Sequence, residues 1–197
     1  MGLITLLGAL PAWGSSTVLV LGDSLSAGYG LAREQGWVTL LQTRLTQQRY
    51  TLQVVNASLS GETTAGGKFR IAKLLATHKP AIVIVELGAN DGLRGLPLSA
   101  TRSNLDAIIV AAKRAQARVL LLGMRLPPNY GPDYTESFHR IYDALPKQHH
   151  ISCVPFFLEA VAGQRDYFQA DGLHPTAAAQ PLLLETVWPV LKPMLKR

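Results

Sequence analysis

V-L-V-L-G-D-S-L-S-A-G-Y-G, residues 18–30, runs four apolar residues into a glycine, an acid and a serine, then keeps its side chains small up to Tyr29. An apolar run of this kind is a strand buried on both faces, and the glycine and acid after it mark its carboxyl end. Four further short runs repeat the pattern: 52–56 (L-Q-V-V-N), 81–86 (A-I-V-I-V-E), 118–123 (R-V-L-L-L-G) and 151–155 (I-S-C-V-P). Between them helical periodicity predicts amphipathic segments at 33–48, 65–78, 99–116 and 134–147, then at 176–192. Strands that alternate with helices in this way make an α/β fold, a parallel sheet covered on both faces. Pro80 and Gly123 punctuate the unit borders, and no repeat or linker divides the chain. We therefore expect one domain over residues 15–197.

Composition narrows the function classes. At 197 residues and 48% hydrophobic content the chain can bury a sizeable core, which sets disorder aside. Cys153 is the single cysteine, so neither an intrachain disulfide nor a cysteine metal cluster is available, and it reads as a small apolar strand residue. The net charge of +6 would favour anionic partners. Its 19 Lys and Arg residues are scattered, without the aromatic interleaving of a nucleic-acid platform, so they read as solvated faces. No nucleic-acid partner is expected, and at most a transient contact with a membrane surface.

The N-terminal stretch M-G-L-I-T-L-L-G-A-L-P-A-W-G is apolar but too short for a bilayer span of about 20 residues. It matches the apolar core of a secretory signal, with a small-x-small site at Ala12-Trp13-Gly14, although no Lys or Arg precedes it. Residues 1–14 are thus expected to be a signal-peptide remnant and the protein periplasmic or secreted; retention of the segment would make it cytoplasmic.

In an open α/β sheet, ligands bind beyond the carboxyl ends of the strands, where free helix amides point. Ser24 sits at such an end, and Gly22, Ser26, Ala27 and Gly28 would let a substrate carbonyl approach the backbone. The competing reading makes Asp23 or Ser24 a plain helix cap. The loops after the other strands bear on the choice. Gly61 comes after the second, in N-A-S-L-S-G, and Asn90 after the third, in E-L-G-A-N-D-G. Asp171 and His174 come after the fifth, in D-G-L-H-P. A hydroxyl, an imidazole, a carboxylate and hydrogen-bond donors on one sheet edge are the parts of an acyl-transfer enzyme. Each also has a structural reading, as turn, cap or surface residue.

Taken together, G-D-S-L at 22–25, Gly61, G-A-N-D at 88–91 and D-G-L-H at 171–174 resemble the four blocks of the SGNH, or GDSL, hydrolases. More narrowly, G-D-S-L-S-A-G-Y-G, V-E-L-G-A-N-D-G-L-R-G, R-L-P-P-N-Y-G and D-G-L-H-P resemble the bacterial thioesterase I, lysophospholipase and arylesterase group. The resemblance implies a three-layer α/β/α, flavodoxin-like fold with five parallel strands ordered 2-1-3-4-5, and no metal or organic cofactor. It implies Ser24, Asp171 and His174 as catalytic residues, with the Ser24 and Gly61 N–H groups and the Asn90 amide as oxyanion hole. Expected substrates are small acyl esters and thioesters, lysophospholipids, and short-chain or aryl esters, handled by a monomer.

The Pro- and Tyr-rich loop after the fourth strand could wall an acyl chain, which nominates Leu25, Leu93, Pro127, Tyr130 and Leu173 as substrate-binding residues, with Leu96 beside them. Two rivals remain: a carbohydrate O-acetyl esterase, against which Trp13, Trp37 and Trp188 all lie outside the motif loops, and a non-hydrolytic lipid-binding module, which gives no reason for both Asp171 and His174. Gly66-Gly67 is expected to soften the start of the second helix, and His149-His150 to lie in a polar connection.

Overall fold

The computed structural model describes residues 17–195, so the expected signal remnant lies outside the described residues. Five parallel strands form the sheet: β1 (Thr17–Gly22), β2 (Gln53–Asn56), β3 (Ile82–Glu86), β4 (Arg118–Leu122) and β5 (Ser152–Val154), in the order β2-β1-β3-β4-β5. Every pairing is parallel; β1 and β3 run together from Val18 opposite Ile82 to Gly22 opposite Glu86. Because helices cover both faces, the central strands have no polar side: Val18 to Leu21 and Ile82 to Val85 are wholly buried. This is the three-layer α/β/α arrangement and strand order expected.

The helices are α1 (Ser24–Ala27), α2 (Trp37–Gln47), α3 (Thr64–His78), α4 (Ala89–Leu93), α5 (Leu98–Arg114), α6 (Pro132–His149) and α7 (Gln180–Leu191). Helices α2 and α7 pack together, as do α3 with α5 and α5 with α6. The bounds depart from periodicity where a cap or contact decides them. Helix α2 begins at Trp37, because residues 33–36 form a turn that delivers Trp37 N–H to the Gln180 side chain at 3.0 Å. Residues 177–179 form a 3-10 turn, and α7 begins only at Gln180.

Two expectations fail. Gly66-Gly67 does not loosen α3: a Cβ on Gly67 would stand 2.4 Å from Leu87 Cδ1, so the missing side chain is what lets the helix close on the end of β3. His149 is not in a polar connection; α6 continues through Pro146 to His149, whose Nε2 lies 2.8 Å from Asp106 on α5. A basic residue in the last turn also suits the helix dipole.

Candidate active site

All the loops that carry the sequence blocks leave the carboxyl edge of the sheet. Asp23 is the N-cap of α1, its Oδ1 accepting from Leu25 N–H at 3.0 Å, so the capping reading holds for Asp23 while Ser24 becomes the first helical residue. A first helical residue has no intrahelical acceptor for its own N–H. His174 Nε2 stands 2.9 Å from Ser24 Oγ, and His174 Nδ1 stands 2.6 Å from Asp171 Oδ2. The fold therefore brings the three side chains, 150 residues apart in sequence at the extremes, into one chain of hydrogen bonds.

The 165–176 segment holds the imidazole in place. Arg165 donates to the carbonyls of Phe168, Gln169 and Ala170, and Gln169 N–H donates to the His174 carbonyl at 2.8 Å. Asp171 Oδ1 accepts from the N–H groups of Leu173 and His174 at 2.9 and 3.0 Å. Those donors, with the imidazole, lower the Asp171 carboxyl to about 2, so it is a carboxylate at neutral pH. With Asp171 facing Nδ1, the tautomer with the proton on Nδ1 leaves Nε2 as an acceptor for the Ser24 hydroxyl. The Tyr29 ring lies 4.4 Å from the imidazole, centroid to centroid. Sequence reasoning did not single it out; its one signal was an aromatic among the small residues after G-D-S-L.

Gly61 takes φ +78, a left-handed conformation that disfavours a side chain, in a turn closed by Glu62 N–H on the Leu59 carbonyl at 3.1 Å. Its own N–H has no acceptor among the described residues. Asn90 and Asp91 divide their work. Asp91 is buried and accepts from Thr64 N–H at 2.9 Å and from the Thr64 hydroxyl, capping α3 from α4. Asn90 faces the cavity, with Nδ2 donating to Asp23 Oδ2 at 2.9 Å.

Behind Ser24 is an acidic nest that sequence reasoning missed. Glu86, wholly buried at the end of β3, accepts from Ser26 Oγ at 2.7 Å and from Asp23 N–H at 3.3 Å, while its Oε1 has no partner. Burial first, then the neighbouring Asp23, pushes the Glu86 carboxyl well above its usual range. Burial likewise raises Asp23 to about 6, against the lowering pull of Leu25 N–H and Asn90. An acid closing an otherwise apolar strand was the available signal.

A cavity of about 590 Å³ opens beside Ser24 and His174. Leu25, Leu93, Pro127 and Leu173 line it as expected, together with Met124, Leu126, Phe156, Leu158 and Phe168. Tyr130 and Leu96 do not. Tyr130 closes a 3-10 turn, Pro128–Tyr130, and its hydroxyl reaches away to donate to the Leu93 carbonyl at 3.0 Å, bracing the wall from outside. Gly61 also lies off the lining. Burial raises the Cys153 thiol to about 11, so it is no nucleophile at neutral pH. His139 is buried on α6 against Met124 and Arg125. Among the described residues no group of three His, Cys, Asp or Glu is placed to hold a metal.

Residues 20–181 match the model of the GDSL-like Lipase/Acylhydrolase family. The chain is 55% identical over 181 residues to Esterase TesA of Pseudomonas aeruginosa, spanning 92% of this chain and 90% of that protein. It is 42% identical over 180 residues to Thioesterase 1/protease 1/lysophospholipase L1 of Escherichia coli K12, spanning 91% and 85%. A crystal structure of TesA superposes with a TM-score of 0.89 at 55% identity, covering 91% of this chain and 99% of that one. With a family match over residues 20–181 and 55% identity to an esterase across most of its length, this chain belongs to the GDSL-like lipase/acylhydrolase family.

Proposed function

We propose that this protein is a serine esterase that hydrolyses carboxylic esters and thioesters through an acyl-enzyme on Ser24. The observation that carries the reading is the continuous hydrogen-bonded path from Ser24 Oγ through His174 to Asp171, at 2.9 and 2.6 Å, opening on a cavity with apolar walls. As Ser24 Oγ attacks the substrate carbonyl carbon, its proton passes to His174 Nε2. Asp171 keeps the imidazole in the receptive tautomer and stabilises the imidazolium without taking the proton itself. The carbonyl oxygen, now negative, is held by the Ser24 and Gly61 N–H groups and the second hydrogen of Asn90 Nδ2. Collapse of this adduct expels the alcohol or thiol, which leaves with the proton from His174. Water, deprotonated by the same imidazole, then attacks the acyl-enzyme and releases the acid.

The walls formed by Leu25, Leu93, Pro127 and Leu173 favour an aliphatic or aryl acyl group. Neither described tryptophan is free to serve as a platform for a sugar ester: Trp37 is buried with Nε1 on Ser26 Oγ at 3.3 Å, and Trp188 is covered by Arg44. The names of the relatives, an esterase and a thioesterase that is also called a lysophospholipase, point to the same substrate range. We place the enzyme in the periplasm or outside the cell, on the apolar character of residues 1–14. Acyl-CoA, lysophospholipid and p-nitrophenyl esters of graded chain length test the reading: turnover of esters and thioesters that disappears in Ser24→Ala is expected. No turnover of any of the three classes by the folded protein would overturn it.

A further inference from the structure

Arg94 ends α4 four residues after Asn90, and its exposed guanidinium is directed at two neutral oxygens. Nη2 donates to the Gly61 carbonyl at 2.9 Å and reaches Asn90 Oδ1 at 3.5 Å. Among the described residues no carboxylate lies within ion-pair distance of it. We propose that Arg94 is a positioning residue for the oxyanion hole, tying the Gly61 turn after β2 to the Asn90 side chain after β3.

The proposal rests on Gly61 and Asn90 being oxyanion donors. Each is then fixed from its acceptor end. The Asn90 amide is held on Nδ2 by the Asp23 carboxylate at 2.9 Å and approached on Oδ1 by the guanidinium at 3.5 Å, both of which disfavour turning its oxygen into the site. The Gly61–Glu62 peptide is gripped likewise, with its N–H on Leu59 and its carbonyl on Arg94. That restrains the rotation about Gly61 that a residue without a side chain would otherwise enjoy. Strands β2 and β3 are not neighbours, since β1 lies between them. No ladder bond therefore sets the distance between the two donors, and Arg94 bridges them directly. Donors held before the reaction stabilise developing charge without reorganising at the moment it appears.

The test uses Arg94→Met, which keeps stem length without donors, Arg94→Lys, which keeps a charge and one reach, Asn90→Ala, and the Asn90/Arg94 double variant. For Arg94→Met we expect kcat on a p-nitrophenyl ester to fall about 10-fold to 100-fold with KM within about threefold, the scale of a misplaced catalytic group. Binding of a trifluoromethyl ketone, whose serine adduct is tetrahedral, should weaken in parallel with kcat/KM. Arg94→Lys should recover part of the loss, and Arg94→Met should cost less once Asn90 is already alanine. Unchanged kcat in Arg94→Met, or a loss borne by KM alone, overturns the proposal while a drop of about 100-fold in Asn90→Ala leaves the oxyanion hole standing. Unchanged kcat in Asn90→Ala overturns the oxyanion assignment itself, and Arg94 with it.

Discussion

Two carboxyl groups bracket Ser24, and the fold treats them in opposite ways. Asp171 is exposed, takes two backbone N–H bonds and an imidazole, and is lowered to about 2. Asp23 is buried one residue before Ser24 and raised to about 6, while Glu86 beneath it is raised further and carries an oxygen with no partner. The difference teaches how such a turn is built. In front, enough donors converge to keep a charge at the surface, where it can steer an imidazole. Behind, burial outweighs the donors and raises both acids, so the rear face is built for shape and hydrogen bonds more than for charge. Changes in front should therefore be felt in turnover, and changes behind in stability.

The sharpest division comes from Ser24→Ala, which should lower kcat by roughly 10,000-fold or more. Unfolding free energy should stay within about 0.5 kcal/mol, because a half-exposed hydroxyl contributes little packing. Denaturant titration beside ester assays checks both halves. Asp171→Asn keeps the shape but turns the wrong group toward Nδ1, and a kcat loss of about 100-fold to 1,000-fold is expected, smaller than for a buried partner because water shares the site.

The rear face answers to different measurements. A Cβ on Gly22 would stand 2.8 Å from Glu86 Oε2 and from Ser26 Cβ and Oγ, so Gly22→Ala should cost about 1–3 kcal/mol of stability. Glu86→Gln should act through pH alone. A carboxyl raised in the folded state binds more protons there than in the unfolded chain. Wild-type stability therefore falls as pH rises above the unfolded value, by about 1.4 kcal/mol per pH unit while that one proton difference lasts. The glutamine carries no proton to lose, so the slope above the unfolded value of 4.5 should flatten, leaving the part that Asp23 contributes; an unchanged slope would remove Glu86 as a source.

The same contrast explains what could be read from the chain beforehand. Strand–turn–helix order, strand bounds to within a residue or two and the parallel sheet were legible because V-L-V-L and I-V-I-V are local patterns ending in Gly, Asp or Glu. Ser24, Asn90, Asp171 and His174 were nameable because each is a polar residue in a small-residue loop, and Gly61 because it is a glycine at such a place. What escaped is set by partners far along the chain. Gly67 looked like a weak helix residue until Leu87 came to lie against it. Periodicity ended the sixth helix at 147, but α6 runs on to His149, which reaches Asp106 on α5. Tyr130 belonged to a loop that was legible as a wall, yet which way the ring turned depended on the Leu93 carbonyl. Glu86 read as the end of a strand, and only the approach of Asp23 and Ser26 makes it the floor of the site.

Labelling by a serine-directed fluorophosphonate, with peptide mass mapping of the product, tests the central claim most directly. One adduct is expected, on Ser24, forming readily in the folded protein and lost or slowed at least about 100-fold in His174→Ala. A folded protein that takes no adduct at Ser24, or takes it there at the same rate without the imidazole, would contradict the claim.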